Sequence, residues 1–311
     1  MRSAVWRRRL YSRHLGRPMG GPWLRSAAAA LLPLCALFAV ALPALAASDL
    51  STSFDHAATN QKIVALTFDA DMTPGMLREL KSGTVASWYN RSVIEALRRD
   101  RVPATLFLTG LWIETYSDVV KELGADPLFE LANHSYSHGA FHSPCYGLFP
   151  IPESKQADEV EKTDALLRKY AGSYKKYFRF PGLCSDAQAM KTVQSQGYTV
   201  IGGDVDGADA FEKSPKWVAA DVVAHVRPGS IVVLHMHGGR DAPATGAALP
   251  DIVAKLRAAG YSFVKVSDLL KLPPGEPIMH PVAAAHQAAA APGNAAAASW
   301  SWSNFFHWPK K

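Results

Sequence analysis

Residues 63–69, IVALTFD, form an apolar run of β-branched and aromatic residues that ends in a carboxylate. Apolar runs without polar alternation are typical of strands that are buried on both faces of a sheet. Six further strand candidates follow along the chain, most of them continuous apolar runs. They are ATLFLTG (104–110), LFELANH (128–134), YFRFPG (177–182), YTVIGGDV (198–205), SIVVLHM (230–236) and YSFVKV (261–266). The sequence therefore predicts seven strands.

Segments with helical periodicity lie between these strands. They are 91–100, 154–170, 187–196, 216–226 and 249–259, and Gly260 ends the last one. Strands that alternate with helices predict an α/β fold whose parallel sheet is covered on both faces. Seven such units predict a closed or nearly closed (β/α) barrel, with its active site at the C-terminal ends of the strands. A doubly wound open sheet is the alternative, but no GxGxxG loop follows the first strand.

The composition describes a chain with a buried core and little affinity for nucleic acid. Of 311 residues, 48% are hydrophobic and 19% are charged, and the net charge is +6. Seven arginines and no acidic residue fall within residues 1–47, which leaves 26 basic and 27 acidic residues in the remainder. The basic character thus belongs to the N-terminal segment, and the rest of the chain lacks the basic footprint of a nucleic-acid-binding domain.

The two ends of the chain differ from the centre. Residues 1–47 combine an arginine-rich start with an uncharged apolar stretch and small residues before Ser48, which predicts a cleaved signal peptide and export to the periplasm or the extracellular space. An uncleaved membrane anchor is the alternative, and Met19 is an alternative start. Residues 48–272 form the predicted domain. Residues 273–311 are an Ala/Pro-rich tail with an aromatic tip, predicted to be flexible or to dock weakly on a membrane, a glycan or the barrel itself.

Two cysteines, Cys145 and Cys184, follow the predicted leader. In an exported protein they predict a disulfide that staples two loops. Burial of both as free, small hydrophobic residues is the alternative.

Polar residues gather where the predicted strands end, as expected of a barrel active site. They are Asp69, Asp71, Asn133, His134, His138, Arg179 and His235. His134 and His138 are four residues apart, so one turn of helix would place both imidazoles on one cation. A site of two histidines and one carboxylate leaves positions open for water and substrate, and hydrolysis is the chemistry that this favours. Asp69 and His235 are then the candidate base and acid.

Five motifs in order make the chain resemble the polysaccharide deacetylases with a NodB-homology domain, carbohydrate esterase family four. The first is TFDAD at 67–71, which is similar to the family's TFDD motif, and the second is NHSYSH at 133–138. The others are RFPG at 179–182, DGADA at 206–210 and VLH at 233–235. The resemblance covers roughly residues 61–272 and implies a deformed (β/α) barrel.

The resemblance also implies an activity and a role for each matching residue. The family removes N-acetyl groups, usually from GlcNAc-containing glycans, and less often O-acetyl groups from xylan, with a divalent metal that is usually zinc. Asp69 matches the catalytic base, and His235 matches the general acid. His134 and His138 match the metal ligands. Arg179 matches the arginine that orients the base, and Asp209 matches the carboxylate that tethers this arginine, with Asp206 as the alternative.

Three positions depart from the family pattern. Ala70 stands where the family has its metal-binding carboxylate. Asp71 replaces that ligand if the loop turns differently; the alternative is that Asp69 binds the metal. Ala210 replaces a tryptophan of the acetyl pocket, and Val233 replaces a leucine. His237 is interpreted as a loop residue near the site.

The sequence favours a metal-dependent deacetylase of an acetylated polysaccharide. One alternative is a non-catalytic glycan-binding module on a decayed scaffold, motivated by Ala70 and Ala210. A second is an O-acetyl esterase of the xylan type. A third makes the aromatic tail the functional element.

Overall fold

A parallel sheet flanked by helices organises residues 52–273, the part of the chain that the computed structural model describes. The strands are β1 (Ile63–Ala70), β2 (Ala104–Leu108), β3 (Phe129–Asn133), β4 (Tyr177–Phe178), β5 (Thr199–Val200), β6 (Val205–Asp206), β7 (Ile231–His235) and β8 (Ser262–Phe263). The helices are α1 (Pro74–Lys81), α2 (Arg91–Arg99), α3 (Gly110–Thr115), α4 (Ser117–Ala125), α5 (Glu153–Tyr170), α6 (Ala187–Gln194), α7 (Pro215–His225), α8 (Thr245–Ala258) and α9 (Val266–Leu269). The predicted leader and residues 274–311 of the predicted tail lie outside these residues.

The strands follow the order β5-β4-β3-β2-β1-β7-β6, and β8 pairs with the start of β1. The named strand pairs are parallel. β1 lies at the centre between β2 and β7, and seven of its eight residues are buried. The prediction of an α/β deformed barrel is therefore confirmed, with a curled sheet whose path begins at β5 and ends at β6.

The predicted strand over 198–205 is wrong in one respect, because it is two short strands at opposite ends of the sheet. Gly202 and Gly203 lie between them. A Cβ atom on Gly202 would stand 2.0 Å from Oδ1 of Asp55, and one on Gly203 would stand 2.4 Å from Cγ2 of Val233. The backbone passes too close to other chain segments here for a side chain, so the glycines let the chain cross between the sheet edges.

Residues 52–57 occupy the gap between the two ends of the sheet, and we call them the seam segment. Phe54 forms a bridge with Ile201 next to β5, and His56 forms one with Ser230 before β7. His56 Nδ1 also lies 2.9 Å from a carboxylate oxygen of Asp204. The seam segment thus links both edges of the curled sheet.

The five predicted helices are present, with small shifts at their ends; α8 begins at Thr245, four residues before the predicted start. The short helices α1, α3, α4 and α9 have no counterpart among the predicted segments. Helix α1 begins at Pro74 behind Thr73, whose hydroxyl accepts a hydrogen bond from the Met76 N–H. Within residues 52–273, none of the helices has the length and apolar character needed to cross a membrane.

Candidate active site

The register of the central strands brings the predicted polar residues to one end of the sheet. Asp69 on β1 is directly opposite His235 on β7. Asn133, the last residue of β3, pairs with Leu108 on one side and Phe178 on the other. Because all these strands are parallel, their C-terminal ends meet, and His134 and Arg179 follow directly from β3 and β4.

Asp71, His134 and His138 form a buried cluster with the composition of a metal site. Oδ1 of Asp71 lies 3.4 Å from Nε2 of His134 and 3.3 Å from Nε2 of His138. One ligand atom from each residue lies within 4.8 Å of the other two. These three residues can therefore supply one oxygen and two nitrogen ligands to a single cation.

The periodicity of β1 explains why Asp71 takes the place that Ala70 cannot fill. Successive side chains of a strand point to opposite faces, so Asp69 and Asp71 point to the same side. Ala70 points to the other side and is fully buried with Phe68 in the main hydrophobic core. The carboxylate two residues after Asp69 thus reaches the histidines, while Ala70 packs between sheet and helices.

The two histidines do not share a turn of helix, so this prediction from their spacing is wrong. The segment is a loop in which Ser135 and His138 have positive φ angles of 64° and 56°. Oδ1 of Asn133 accepts a hydrogen bond from the Ser135 N–H, and Oε2 of Glu159 accepts one from the Ser137 N–H. These bonds hold the loop in the turn that makes both imidazoles converge.

Hydrogen bonding and burial prepare this cluster for a divalent cation. Nδ1 of His134 donates to the carbonyl of Arg179 at 2.8 Å, which leaves Nε2, the nitrogen that faces Asp71, as the one able to bind a metal. Oδ1 of Asp71 is buried and has no hydrogen-bond partner. Burial lowers the pKa of His138 to about 4, so this imidazole is neutral and free to ligate at neutral pH. The residues therefore fit a metal of the zinc class.

The charges around Asp71 and His134 also favour a bound cation. Burial by itself raises the pKa of Asp71, but the surrounding histidines outweigh it and hold the pKa well below its usual range. Burial lowers the pKa of His134, and Asp69 and Asp71 more than compensate, so the net pKa is raised. This carboxylate-rich pocket favours positive charge, and a cation would replace the proton on His134.

Asp69 is held by a fully buried arginine. Nη1 of Arg179 donates to Oδ1 of Asp69 at 2.7 Å, and Nη2 donates to the carbonyl of Gly202 at 2.7 Å. The guanidinium also lies over the ring of Phe107, 4.1 Å from its centroid. Oδ2 of Asp69 is 3.6 Å from Nε2 of His134, so it faces the cluster. This arrangement keeps one carboxylate oxygen occupied and directs the other at the site.

The resemblance implies that Asp209 tethers Arg179, and this prediction is wrong. The Asp209 carboxylate contacts His235. Its Oδ1 lies 2.7 Å from Nδ1 of His235, and its Oδ2 accepts the backbone N–H of His235 at 2.8 Å. Thr245 donates its hydroxyl to the same Oδ2. Asp206, the alternative partner of the arginine, is exposed and accepts a hydrogen bond from the Ala208 N–H.

The Asp209 carboxylate determines the protonation state of His235. Burial lowers the pKa of this imidazole, but the charge and the hydrogen bond of Asp209 reverse the effect and raise the pKa to about 10. Its Nε2 is 3.9 Å from Oδ2 of Asp71. His235 thus carries a proton at neutral pH, on the side that faces the cluster.

His237 is a site residue that the sequence reasoning assigns only to a nearby loop. It is 3% exposed, and its Nδ1 lies 3.5 Å from Oδ2 of Asp71. The ring centroids of His235 and His237 are 5.4 Å apart. The spacing of two residues along an extended segment was the available signal, because it puts both side chains on one face.

A disulfide and exposed aromatic rings form part of the loops around the strand ends. Cys145 and Cys184 are bonded, with Cα atoms 6.0 Å apart, which confirms the predicted staple. Next to it, Tyr146 is 47% exposed, and its ring centroid lies 6.0 Å from that of Phe211, which is 63% exposed. Phe211 lies two residues after Asp209, and Tyr146 packs close to Gly182, three residues after Arg179.

Comparisons with known proteins identify similar sequences. Residues 56–201 match the family model described as polysaccharide deacetylase. The peptidoglycan-N-acetylglucosamine deacetylase of Bacillus cereus is 29% identical over 218 residues, which are 68% of this chain and 90% of that protein.

Solved structures share the fold. A crystal structure of a peptidoglycan N-acetylglucosamine deacetylase in complex with a benzamide superposes with a TM-score of 0.60 at 23% identity and covers 73% of this chain and 95% of that one. A family 4 acetyl xylan esterase from Clostridium thermocellum with a cobalt ion superposes with a TM-score of 0.54 at 26% identity, over 67% of this chain and 90% of that one.

Proposed function

The chain belongs to the polysaccharide deacetylase family with NodB homology, and we propose that it is an exported, zinc-dependent hydrolase that removes N-acetyl groups from a GlcNAc-containing polysaccharide. The observation that carries the proposal is the convergence of a candidate metal cluster, an oriented carboxylate and a protonated imidazole. These are Asp71 with His134 and His138, Asp69 with Arg179, and His235 with Asp209.

Asp71, His134 and His138 would hold the metal. A divalent cation at this position supplies Lewis-acid polarisation of the acetyl carbonyl and lowers the pKa of water. The rest of the chemistry falls to the side chains of this chain.

Asp69 is the proposed general base. Its Oδ2 faces the cluster and takes the proton of the attacking water, while its Oδ1 stays bonded to Arg179. The arginine prevents the carboxylate from rotating away from the site.

His235 is the proposed general acid. Its Nδ1–H is bound by Asp209, so the proton that it delivers to the departing amine is the one on Nε2. The raised pKa keeps that proton in place until the amine nitrogen becomes basic enough to take it. Base and acid lie opposite each other on neighbouring strands, as required for groups that act on two sides of one tetrahedral centre.

The substrate and the compartment are proposed from separate observations. Exposed rings of Tyr146 and Phe211 suit the apolar faces of sugar rings, and the Bacillus cereus relative is named for N-acetylglucosamine of peptidoglycan. The leader layout of residues 1–47 supports export, and the Cys145–Cys184 disulfide is the kind of bond that persists in oxidising compartments.

O-acetyl esterase activity on xylan is the second candidate, favoured by the 26% identity to an acetyl xylan esterase. A non-catalytic binding module is disfavoured, because both the hydrogen-bonded base and the hydrogen-bonded acid are intact. The deacetylase releases acetate from N-acetylated glycans, the esterase releases it from acetylated xylan, and the binding module releases none.

The test is acetate release by the zinc-loaded chain from chitin oligomers, peptidoglycan and acetylated xylan. We expect release from the N-acetylated substrates, with a loss of about 100-fold or more in Asp69→Asn and in His235→Ala. His225→Ala, an exposed histidine at the end of α7, is the matched control and is expected to behave as the parent. Unchanged activity in the first two variants would disprove the roles, release from xylan alone would select the esterase, and glycan binding without release would select the binding module.

A further inference from the structure

His237 lies against the proposed metal site from a direction that the family motifs do not describe. It follows β7 by two residues, and the backbone on both sides of it is fixed. The Met236 N–H donates to the carbonyl of Asp69 at 2.8 Å, and the Asn90 N–H donates to the carbonyl of Met236 at 2.9 Å. The backbone pairing that aligns Asp69 with His235 therefore also fixes the position of the His237 imidazole.

Gly238 and Gly239 let the turn after His237 pack closely against Asn90 and Trp88. A Cβ atom on Gly238 would stand 2.7 Å from Cβ of Asn90, and one on Gly239 would stand 2.5 Å from the ring of Trp88. The Trp88 ring is fully buried, and its centroid is 6.3 Å from that of His237. The turn cannot move outward without opening this contact, so His237 has little freedom to leave Asp71.

The two oxygens of Asp71 face different groups. Oδ1 faces the Nε2 atoms of His134 and His138, at 3.4 Å and 3.3 Å. Oδ2 faces Nδ1 of His237 at 3.5 Å and, farther away, Nε2 of His235 at 3.9 Å. His237 thus approaches the carboxylate oxygen that the cluster does not use.

The geometry makes His237 a partner of Asp71 and not a fourth ligand. The group of ligand atoms that lie within 4.8 Å of one another comprises Asp71, His134 and His138, and His237 is outside it. Its buried Nδ1 has no hydrogen-bond partner, and a shift of about half an ångström brings it to hydrogen-bonding distance of Oδ2. Ligating carboxylates are commonly oriented by such an outer hydrogen bond.

We propose that His237 is a positioning residue for the metal site: its Nδ1–H donates to Oδ2 of Asp71 and holds Oδ1 toward the metal. This role rests on the proposed metal-dependent function. It also explains how a carboxylate that stands one position beyond the family's ligand, after Ala70, is kept in a ligating orientation.

The test is zinc affinity, measured by competition with a chromophoric chelator on the full chain after removal of bound metal. His237→Leu keeps most of the volume and removes the donor, and we expect zinc affinity to fall 10- to 100-fold. His237→Asn restores an N–H near the position of Nδ1 and is expected to stay within about 3-fold of the parent. His225→Ala is the control for loss of an exposed histidine. His237→Ala replaces the leucine variant if the latter does not fold.

Cobalt substitution separates positioning from direct ligation. We expect the visible absorption of the cobalt-loaded leucine variant to match that of the parent, because the three protein ligands remain. Parent-like zinc affinity in the leucine variant would overturn the proposal. An asparagine variant as weak as the leucine variant, with an altered cobalt spectrum, would also overturn it by making His237 a ligand. Zinc binding needs no glycan, so a failure to release acetate would count against the proposed function and not against this role.

Discussion

Replacing Asp209 by Asn should change the pH at which His235 loses its proton. Three donors point at the Asp209 carboxylate: the backbone N–H and the Nδ1–H of His235, and the hydroxyl of Thr245. Asn offers one acceptor oxygen and an NH₂ group that faces donors, so the charge is lost and one hydrogen bond is lost with it. Burial, which lowers the pKa of His235, is then opposed only by the charges of Asp71 and Asp69, and we expect the pKa to fall from about 10 toward the ordinary histidine value of about 6.5.

The magnitude follows from the protonated fraction. At pH 8 an imidazole with a pKa of about 10 is almost fully protonated, whereas one with a pKa of about 6.5 is about 3% protonated, which predicts a loss of about 30-fold in kcat/KM. At pH 6 the same variant is about three-quarters protonated, so the protonation part of its deficit shrinks to less than about 2-fold. The buried donor left unpaired also lowers the free energy of unfolding by about 1–3 kcal/mol.

Histidine NMR titration of the metal-free protein measures the pKa directly, and acetate release between pH 6 and pH 9 measures its consequence. Asp118→Asn is the control for loss of a carboxylate charge, because the Asp118 side chain on α4 is 93% exposed and pairs with Lys121. A deficit in Asp209→Asn that is the same at every pH, or a His235 resonance that still titrates near pH 10, would refute the reasoning.

Three further predictions concern Ala70 on β1, the disulfide and Phe211. Ala70→Asp places a carboxylate in the hydrophobic core, where Ala70 is fully buried, so we expect the free energy of unfolding to fall by about 3 kcal/mol and the thermal midpoint by roughly 10 °C. A parent-like midpoint with higher zinc affinity would show that Ala70 faces the site. Joint replacement of Cys145 and Cys184 by Ala opens a crosslink that spans 39 residues, which should lower the free energy of unfolding by about 4 kcal/mol in urea titrations, and parent-like stability would count against the staple. Phe211→Ala should raise KM for polymeric substrate about 3- to 10-fold at constant kcat, whereas an equal effect on short oligomers would rule out an extended glycan contact.

The fold was predictable from sequence where hydrophobic patterning is continuous. The run at 63–69 is buried on both faces as β1, and this pattern suffices to predict a central parallel strand. The run at 198–205 also contains β-branched and aromatic residues, but its two glycines are crossing points that depend on contacts with Asp55 and Val233. Such contacts join distant parts of the chain, so local patterning predicts one strand where the fold has two.

The candidate site was predictable as a set of residues but not as a set of contacts. Strand ends and motif order bring Asp69, His134 and His235 together, which follows from parallel topology alone. The pairing of Asp209 with His235 depends on the course of the β6–α7 loop, which no spacing rule determines. The convergence of His134 and His138 depends on positive φ angles in a loop and not on helical periodicity.

The seam segment links the two ends of the sheet through residues that precede every strand of that sheet in sequence. His56 and its partner Asp204 are 148 residues apart in sequence, and contacts of such separation form late because a long loop must close before they can be made. The seam segment can therefore dock only after β5 and β7 have formed. In the proposed export, the seam segment would cross the membrane before the strands that it joins and would stay unpaired until β5 and β7 had followed.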